Sequence, residues 1–154
     1  HDIGSYEELV ERCDAVAAAF IRTRKSLRDV EQQITDLTLL GKQIDTYRKL
    51  KPVYDRYKAS KDKEKFLRGF ESEIILFEAA AREIKKAGLP KLPSAEKLKE
   101  KLDGLTARKT ALQTELRKIQ REETEYDTLR QNVDALLERP REQEQQRQRS
   151  NDLE

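Results

Sequence analysis

The sequence predicts an all-helical fold, an elongated antiparallel three-helix bundle of the coiled-coil type with long outer helices. Charged residues make up 40% of the 154 residues, tryptophan is absent, and there are only five glycines and four prolines. This composition is typical of long helices. Apolar residues also recur at alternating spacings of three and four, the period of packed helices. Short connections between the helices predict antiparallel neighbours.

The first helix is predicted over residues 5–51. Ser5 can cap it, with Glu8 reaching back in a capping box. Pro52 predicts its end, because the ring and the missing N–H disfavour continuation. The predicted apolar seam consists of Tyr6, Leu9, Cys13, Val16, Phe20, Thr23, Leu27, Val30, Ile34, Leu37, Gly41 and Ile44, with Thr23 and Gly41 as its breaks.

Pro52 leaves two alternatives open. A tight reversal there would fold the second helix back against the first. A kink would instead merge the two helices into one rod, and a second chain would then have to complete the core. The second alternative predicts an intertwined dimer.

The second helix is predicted over residues 53–87 and stops at the sequence AGLPKLPS. Within EIILFEAAA the apolar sector widens to include Ile75, Leu76 and Ala79, as expected of a middle helix with two neighbours. The predicted seam is Leu67, Phe70, Ile74, Phe77, Ala81 and Ile84.

The third helix is predicted over residues 94–138, capped by Ser94. A companion set of positions carries Lys109, Glu123 and Arg130 among leucines. These charges extend to water or lie beyond the shorter second helix, or else they form a buried pair that fixes the register. The main seam, at strict seven-residue spacing, is Leu98, Leu105, Leu112, Ile119, Tyr126 and Val133.

Together the helices predict a single bundle over residues 1–140. Residues 141–154 form a polar tail with little to bury, expected as a frayed helix or mobile segment. Because methionine is absent, we expect a piece of a longer protein, with His1 and Leu153–Glu154 as cloning remnants.

Several function classes find no support in the sequence. No apolar run is long enough to span a bilayer. Cys13 is the only cysteine, so no internal disulfide or cysteine-based metal site is expected, and a reducing cytoplasm is the default location. No phosphate loop, metal-ligand spacing or activated nucleophile appears. We therefore expect no catalytic residue, no metal, no cofactor and no small-molecule substrate.

One segment, YRKLKPVYDRYKASKDKEKFLRGF, concentrates positive charge. Between Arg48 and Arg68, nine basic side chains face three acidic ones, a local excess of six. On a continuous second helix, Lys58, Lys61, Lys65 and Arg68 would share one face. Such a basic stripe suits a phosphate backbone, and nearby tyrosine rings could stack on unpaired bases; the alternative is a solvated face with packed tyrosines. The candidate nucleic-acid-binding residues are Lys49, Lys51, Arg56, Lys58, Lys61, Lys65, Arg68, Tyr47, Tyr54 and Tyr57.

Three stretches together resemble a region downstream of the nuclease domain in certain mobilisation relaxases. They are KPVYDRYKASKDKEKFLRGFESEIILFEAAAREIKKAG, KLPSAEKLKEKLDGLTARKTAL and REETEYDTLRQNVDALL. These relaxases nick and carry DNA strands of plasmids and conjugative transposons. In that family the nicking tyrosine and a metal-binding histidine cluster lie in an amino-terminal domain, which has no counterpart here.

The resemblance implies a non-catalytic accessory module that acts in the DNA-processing complex, in contact with DNA or with relaxosome or coupling proteins. Two functional classes follow from it and from the residues. In the first, the basic segment holds DNA near the nicking domain. In the second, the chain is a coiled-coil assembly or dimerisation module without nucleic-acid contact. It would pair with itself, an accessory factor or the coupling ATPase, as the wide EIILFEAAA sector and the charged seam of the third helix suggest.

Overall fold

The computed structural model describes residues 4–153 and confirms the all-helical prediction. Three helices span Tyr6–Ala59 (α1), Lys63–Lys86 (α2) and Ala95–Asp152 (α3). They pack antiparallel, with α1 against both α2 and α3. No strand occurs within the described residues. His1 and Glu154, two of the expected cloning remnants, lie outside this range.

The predicted end of α1 at Pro52 is wrong, because the helix runs through Pro52 to Ala59. An internal proline costs a helix about 3 kcal/mol through a lost hydrogen bond and a steric clash. Beyond it, however, the rings of Tyr54 and Tyr57 pack against α2. Tertiary packing of this kind outweighs local propensity. Pro52 therefore makes no tight reversal, and the first two helices do not merge into one rod, because the chain reverses later.

The reversal lies at residues 60–62, so α2 begins ten residues after its predicted start. Ser60 Oγ donates to the carbonyl oxygen of Asp62 at 3.1 Å. Asp62 Oδ1 accepts from the N–H of Lys65 at 3.1 Å and caps the helix. Inside α2, Phe70 departs from helical geometry at φ −133° and ψ 25°, directly after Gly69, whose low helix propensity favours a kink.

The caps at the other helix ends follow the sequence closely. Ser5 Oγ accepts from the N–H of Glu8 at 3.2 Å, while the Glu8 carboxylate accepts from Gly4 N–H instead of closing the capping box on Ser5. Gly88, at φ +66°, follows α2 in the left-handed conformation that glycine adopts without strain. Ser94 Oγ accepts from the N–H of Lys97 at 3.2 Å and caps α3 as predicted.

The predicted end of α3 near Pro140 is wrong, since the helix continues to Asp152. Residues 141–153 expose their side chains. Glutamine, glutamate and arginine are good helix formers, and this segment is rich in them, which gives a local reason for the helix without an apolar face.

The described chain divides into two compact units. The first combines the segment up to Arg28 with the segment from Thr110 onward. The second is Asp29–Lys109 and contains all of α2. The prediction of one bundle over residues 1–140 stays a prediction.

Polar contacts join α1 and α3 in the first unit. The hydroxyl of Tyr6 donates to Asp134 Oδ1 at 2.9 Å. A hydrogen bond with Tyr6 raises the pKa of Arg130, and one with Tyr126, assisted by Glu8, raises the pKa of Arg12. The buried side chains of this unit are few, and one of them is polar. They are Leu9, Thr23, Ile119 and Tyr126.

In the second unit part of the predicted seams forms the interior, including Val30 and Ile44 from α1, which are almost fully buried. In α2 the fully buried alanine is Ala80 and not the predicted Ala81, which is half-buried. The wide apolar sector of α2 is not buried as a whole, because Ile75 and Leu76 are each 54% exposed. The expectation that α2 is the middle helix is therefore wrong: the helix that contacts both others is α1.

The three charges among the leucines of α3 are half-buried. Lys109 Nζ lies 3.9 Å from Glu31 Oε1, and both side chains keep more than a third of their surface exposed. Arg130 has its hydrogen bond with Tyr6. The structure therefore favours charges that extend toward water over a fully buried pair.

Candidate nucleic-acid interface

The three candidate tyrosines belong to an aromatic cluster between α1 and α2. Tyr47 and Tyr54 both stack on Phe77, with ring centroids 4.8 and 4.3 Å apart. Tyr57 meets Phe66 at 6.1 Å in a tilted arrangement. Aromatic pairs at these separations stabilise a fold beyond the area that they bury. The cluster explains why α1 continues past Pro52.

These contacts already occupy the rings that the sequence offered for bases. All three tyrosines are half-buried, and Tyr54 contacts Phe77, Tyr57 and the ammonium group of Lys58. Stacking on a base would require each ring to expose a face. The geometry therefore favours packed tyrosines, the alternative that the sequence left open.

The predicted basic stripe does not form on one helix. Lys58 lies in the last turn of α1, Lys61 in the connection, and Lys65 and Arg68 in α2. The expectation of a shared helical face is wrong because it assumed a helix that began at residue 53. The side chains gather instead around the reversal, and all of them are exposed. We use "turn cations" for Lys58, Lys61, Lys63, Lys65 and Arg68.

The remaining candidate cations lie on α1. Lys49 is exposed, and Lys51 pairs with Asp55 four residues on, with Nζ and Oδ2 3.6 Å apart. The guanidinium of Arg56 lies over the ring of Phe70 at 5.8 Å from its centroid. A cation over a ring keeps its charge, so Arg56 can still face an anion.

Two of the three acids in this segment have local partners. Asp55 pairs with Lys51, and Asp62 accepts from the α2 backbone. Asp62 also occupies the N-terminus of α2, the place where a phosphate would otherwise find free N–H groups. The third acid, Glu64, is exposed in the first turn of α2. A phosphate would therefore meet the lysine and arginine side chains, and not the helix end.

Two cations of this region were missing from the candidate residues. Lys63 is the first residue of α2 and is exposed, whereas Arg48 donates to the carbonyl oxygen of Pro93 at 2.6 Å. Lys63 could have been found from the Ser-Lys-Asp signal of a turn followed by a helix N-cap. Arg48 could not, because its partner lies 45 residues away.

The described residues form a cleft beside the tyrosines but no candidate metal site and no candidate membrane-spanning helix. A cleft of about 540 Å³ lies beside Tyr47, Tyr54 and Phe77, with charges of both signs at its rim. Within residues 4–153 no group of three or more histidine, cysteine, aspartate or glutamate side chains is placed to hold a metal ion. No helix in the described range combines the length and apolar character needed to cross a membrane.

Comparison with protein-family models, with curated proteins and with solved structures finds no significant match.

Proposed function

We propose that this chain is a non-catalytic accessory module of a DNA mobilisation relaxase that contacts the phosphate backbone of DNA through the turn cations. The observation that carries the proposal is the arrangement at the α1–α2 reversal. Exposed lysine and arginine side chains gather there, while Asp55 and Asp62 are engaged locally. The link to relaxases rests on the resemblance of the three quoted stretches.

The expected mode of contact is electrostatic and independent of sequence. Long, exposed ammonium groups neutralise phosphates and release counterions, which supplies most of the affinity of non-specific binding. Base stacking by Tyr47, Tyr54 and Tyr57 contributes little in this proposal, because their rings pack against phenylalanines and one another. Single strands and duplexes should therefore both bind.

A charge-reversal experiment tests the proposal. The variant changes Lys61, Lys63, Lys65 and Arg68 to glutamate, and its matched control changes four exposed cations of α3 to glutamate, namely Lys99, Arg108, Lys118 and Arg121. Both variants change the net charge equally. Only the first should abolish binding to a fluorescent oligonucleotide, whereas equal losses in the two variants would mean that net charge alone is responsible.

A second candidate function is a coiled-coil assembly module that does not contact nucleic acid and pairs with relaxosome or coupling proteins. The observation that favours it is the exposure of Ile75 and Leu76 on α2. Replacing both with lysine should then weaken binding to such a protein, and the unmodified chain should not bind DNA. Unchanged protein binding by this variant, or DNA binding by the unmodified chain, would remove this candidate.

A further inference from the structure

The face of α1 that points away from α3 carries a charge pattern of its own within the first unit. At about 100° per residue, Glu11, Asp14, Arg22 and Lys25 lie within roughly 40° of Ala18 on the helix surface. The seam that packs against α3 lies on the opposite side. All five of these residues are exposed. We call this surface the α1 outer face.

Within seven residues of Ala18, the acids of this face precede it and the bases follow it; eleven residues away, Glu7 and Asp29 lie within about 20° of it and are both acidic. Glu11 and Lys25 stand seven residues before and after Ala18, and Asp14 and Arg22 stand four residues before and after it. These four charges are thus arranged with opposite signs about one central position. No ion pair or hydrogen bond joins these four side chains to another residue in the described part of the chain.

This arrangement is self-complementary for two antiparallel copies of the helix. In a two-fold interface a residue at 18 + n meets the partner's residue at 18 − n, and the reciprocal contact forms as well. Glu11 would face the partner's Lys25, and Asp14 would face the partner's Arg22. One turn further from the axis, Glu7 would face the partner's Asp29, a pair of like charges that the four central pairs outnumber. A parallel arrangement would place acid against acid and base against base.

The centre of the face suits a close approach. Ala18 has a small side chain and lies within the run Ala15–Ala19, in which Ala15 and Ala18 are exposed. Helix axes can approach to about 8 Å where the contact residues are small. Ile21, which is 68% exposed, lies beside the central alanine and would be covered by the partner helix.

From this geometry we infer that a second copy of the chain packs antiparallel on the α1 outer face, with Ala18 at the two-fold axis. The occupant is a copy of this chain because the complementary charges lie on the same helix. The contact does not depend on nucleic-acid binding, and it uses α1 instead of the exposed α2 residues Ile75 and Leu76.

The first experiment measures mass without DNA, by sedimentation at increasing protein concentration. The wild type should reach twice the 18.0 kDa of one chain. Glu11→Lys with Asp14→Arg makes all four pairs repulsive and should weaken the dimer at least about tenfold. Adding Arg22→Asp and Lys25→Glu restores opposite signs across the two-fold axis, so this quadruple variant should dimerise again.

A matched control changes two exposed acids with the same spacing on α3, Glu100→Lys with Asp103→Arg. It should leave the dimer intact. A wild type that stays monomeric up to millimolar concentration would overturn the inference, and so would a Glu11/Asp14 double variant that dimerises as tightly as the wild type.

Disulfide trapping tests the position of the axis. In a Cys13→Ala background, Ala18→Cys should form a cross-linked dimer on mild oxidation, because residues at a two-fold axis approach their own copies closely. Ser72→Cys, at an exposed site on α2, is the control and should stay monomeric. Equal cross-linking at the two sites would contradict a specific contact at Ala18.

Discussion

The two units of the chain bury their side chains in different ways. In Asp29–Lys109, α2 packs on α1 through stacked rings centred on Phe77, and the interior contains Ile44 and Ala80 with almost no exposure. In the other unit, α1 and α3 meet over fewer buried side chains and are joined by hydrogen bonds such as Tyr6 to Asp134. A third helix therefore adds aromatic packing that a helix pair lacks. The comparison predicts that single substitutions cost more stability in Asp29–Lys109 than in the other unit.

The largest loss is expected from Phe77→Ala. This side chain is 5% exposed and stacks with Tyr47 and Tyr54. Truncation of a buried phenylalanine typically costs about 3 to 5 kcal/mol. Urea unfolding followed by circular dichroism measures the loss, and amide exchange should rise in α2 and residues 45–59. A cost no greater than that of an exposed substitution such as Leu76→Ala would contradict the role of the cluster.

Pro52→Ala should act in the opposite direction and stabilise the protein. Since Pro52 lies inside α1 and is exposed, alanine restores a donor and removes a clash without loss of packing. The gain should be about 1 to 3 kcal/mol, measured as an upward shift of the urea midpoint. Lys49→Ala is the control within the same helix and should change stability little. A destabilised Pro52→Ala variant would indicate that proline is needed for a turn.

A smaller loss is expected from Asp62→Ala at the start of α2. The substitution removes the acceptor for the N–H of Lys65. Loss of an N-cap typically costs about 1 kcal/mol. Asp62→Asn keeps a capping oxygen and should retain most of the stability, which separates the cap from the charge. Equal losses for both variants would assign the effect to charge.

The smallest effect is expected in the two-helix unit, from Tyr6→Phe. The hydroxyl that donates to Asp134 is lost, while the 41%-exposed ring remains. An exposed hydrogen bond of this kind should contribute about 0.5 kcal/mol. Paired Tyr6→Phe and Asp134→Asn variants in a double-mutant cycle measure the coupling directly. A coupling larger than the loss from Asp62→Ala would break the contrast between the units.

Periodicity predicted the parts of the fold that depend on repeated burial. The seams of α1 and α3 were recovered because spacings of three and four report one face of a helix, and even Thr23, an apparent break, is buried. Ser94 and the stop at Gly88 were recovered from local chemistry. The end of α1 was predicted wrongly because the local cost of Pro52 is offset by ring contacts with α2. The spacing of residues in the sequence does not show these contacts.

The candidate interface was predictable in composition but not in arrangement. The excess of basic residues is plain in the sequence, whereas their placement around a reversal depends on where α1 ends. Because α1 ends at Ala59 and not at residue 51, Lys58 and Lys61 lie outside α2, and the four predicted cations do not share one helix face. The packing of the tyrosines could not be predicted either, because their contacts with Phe77 and Phe66 depend on the position of the reversal.

The most direct test of the proposed function is a titration of fluorescent single-stranded and duplex DNA with the unmodified chain across a range of salt concentrations. Phosphate contact by the turn cations predicts that log affinity falls linearly with log salt, with a slope of about 0.9 per contacted phosphate on duplex and about 0.7 on single strands. Both forms should bind with similar affinity, since the tyrosine rings are packed. Absence of binding at low salt, or an affinity that salt does not change, would contradict the account.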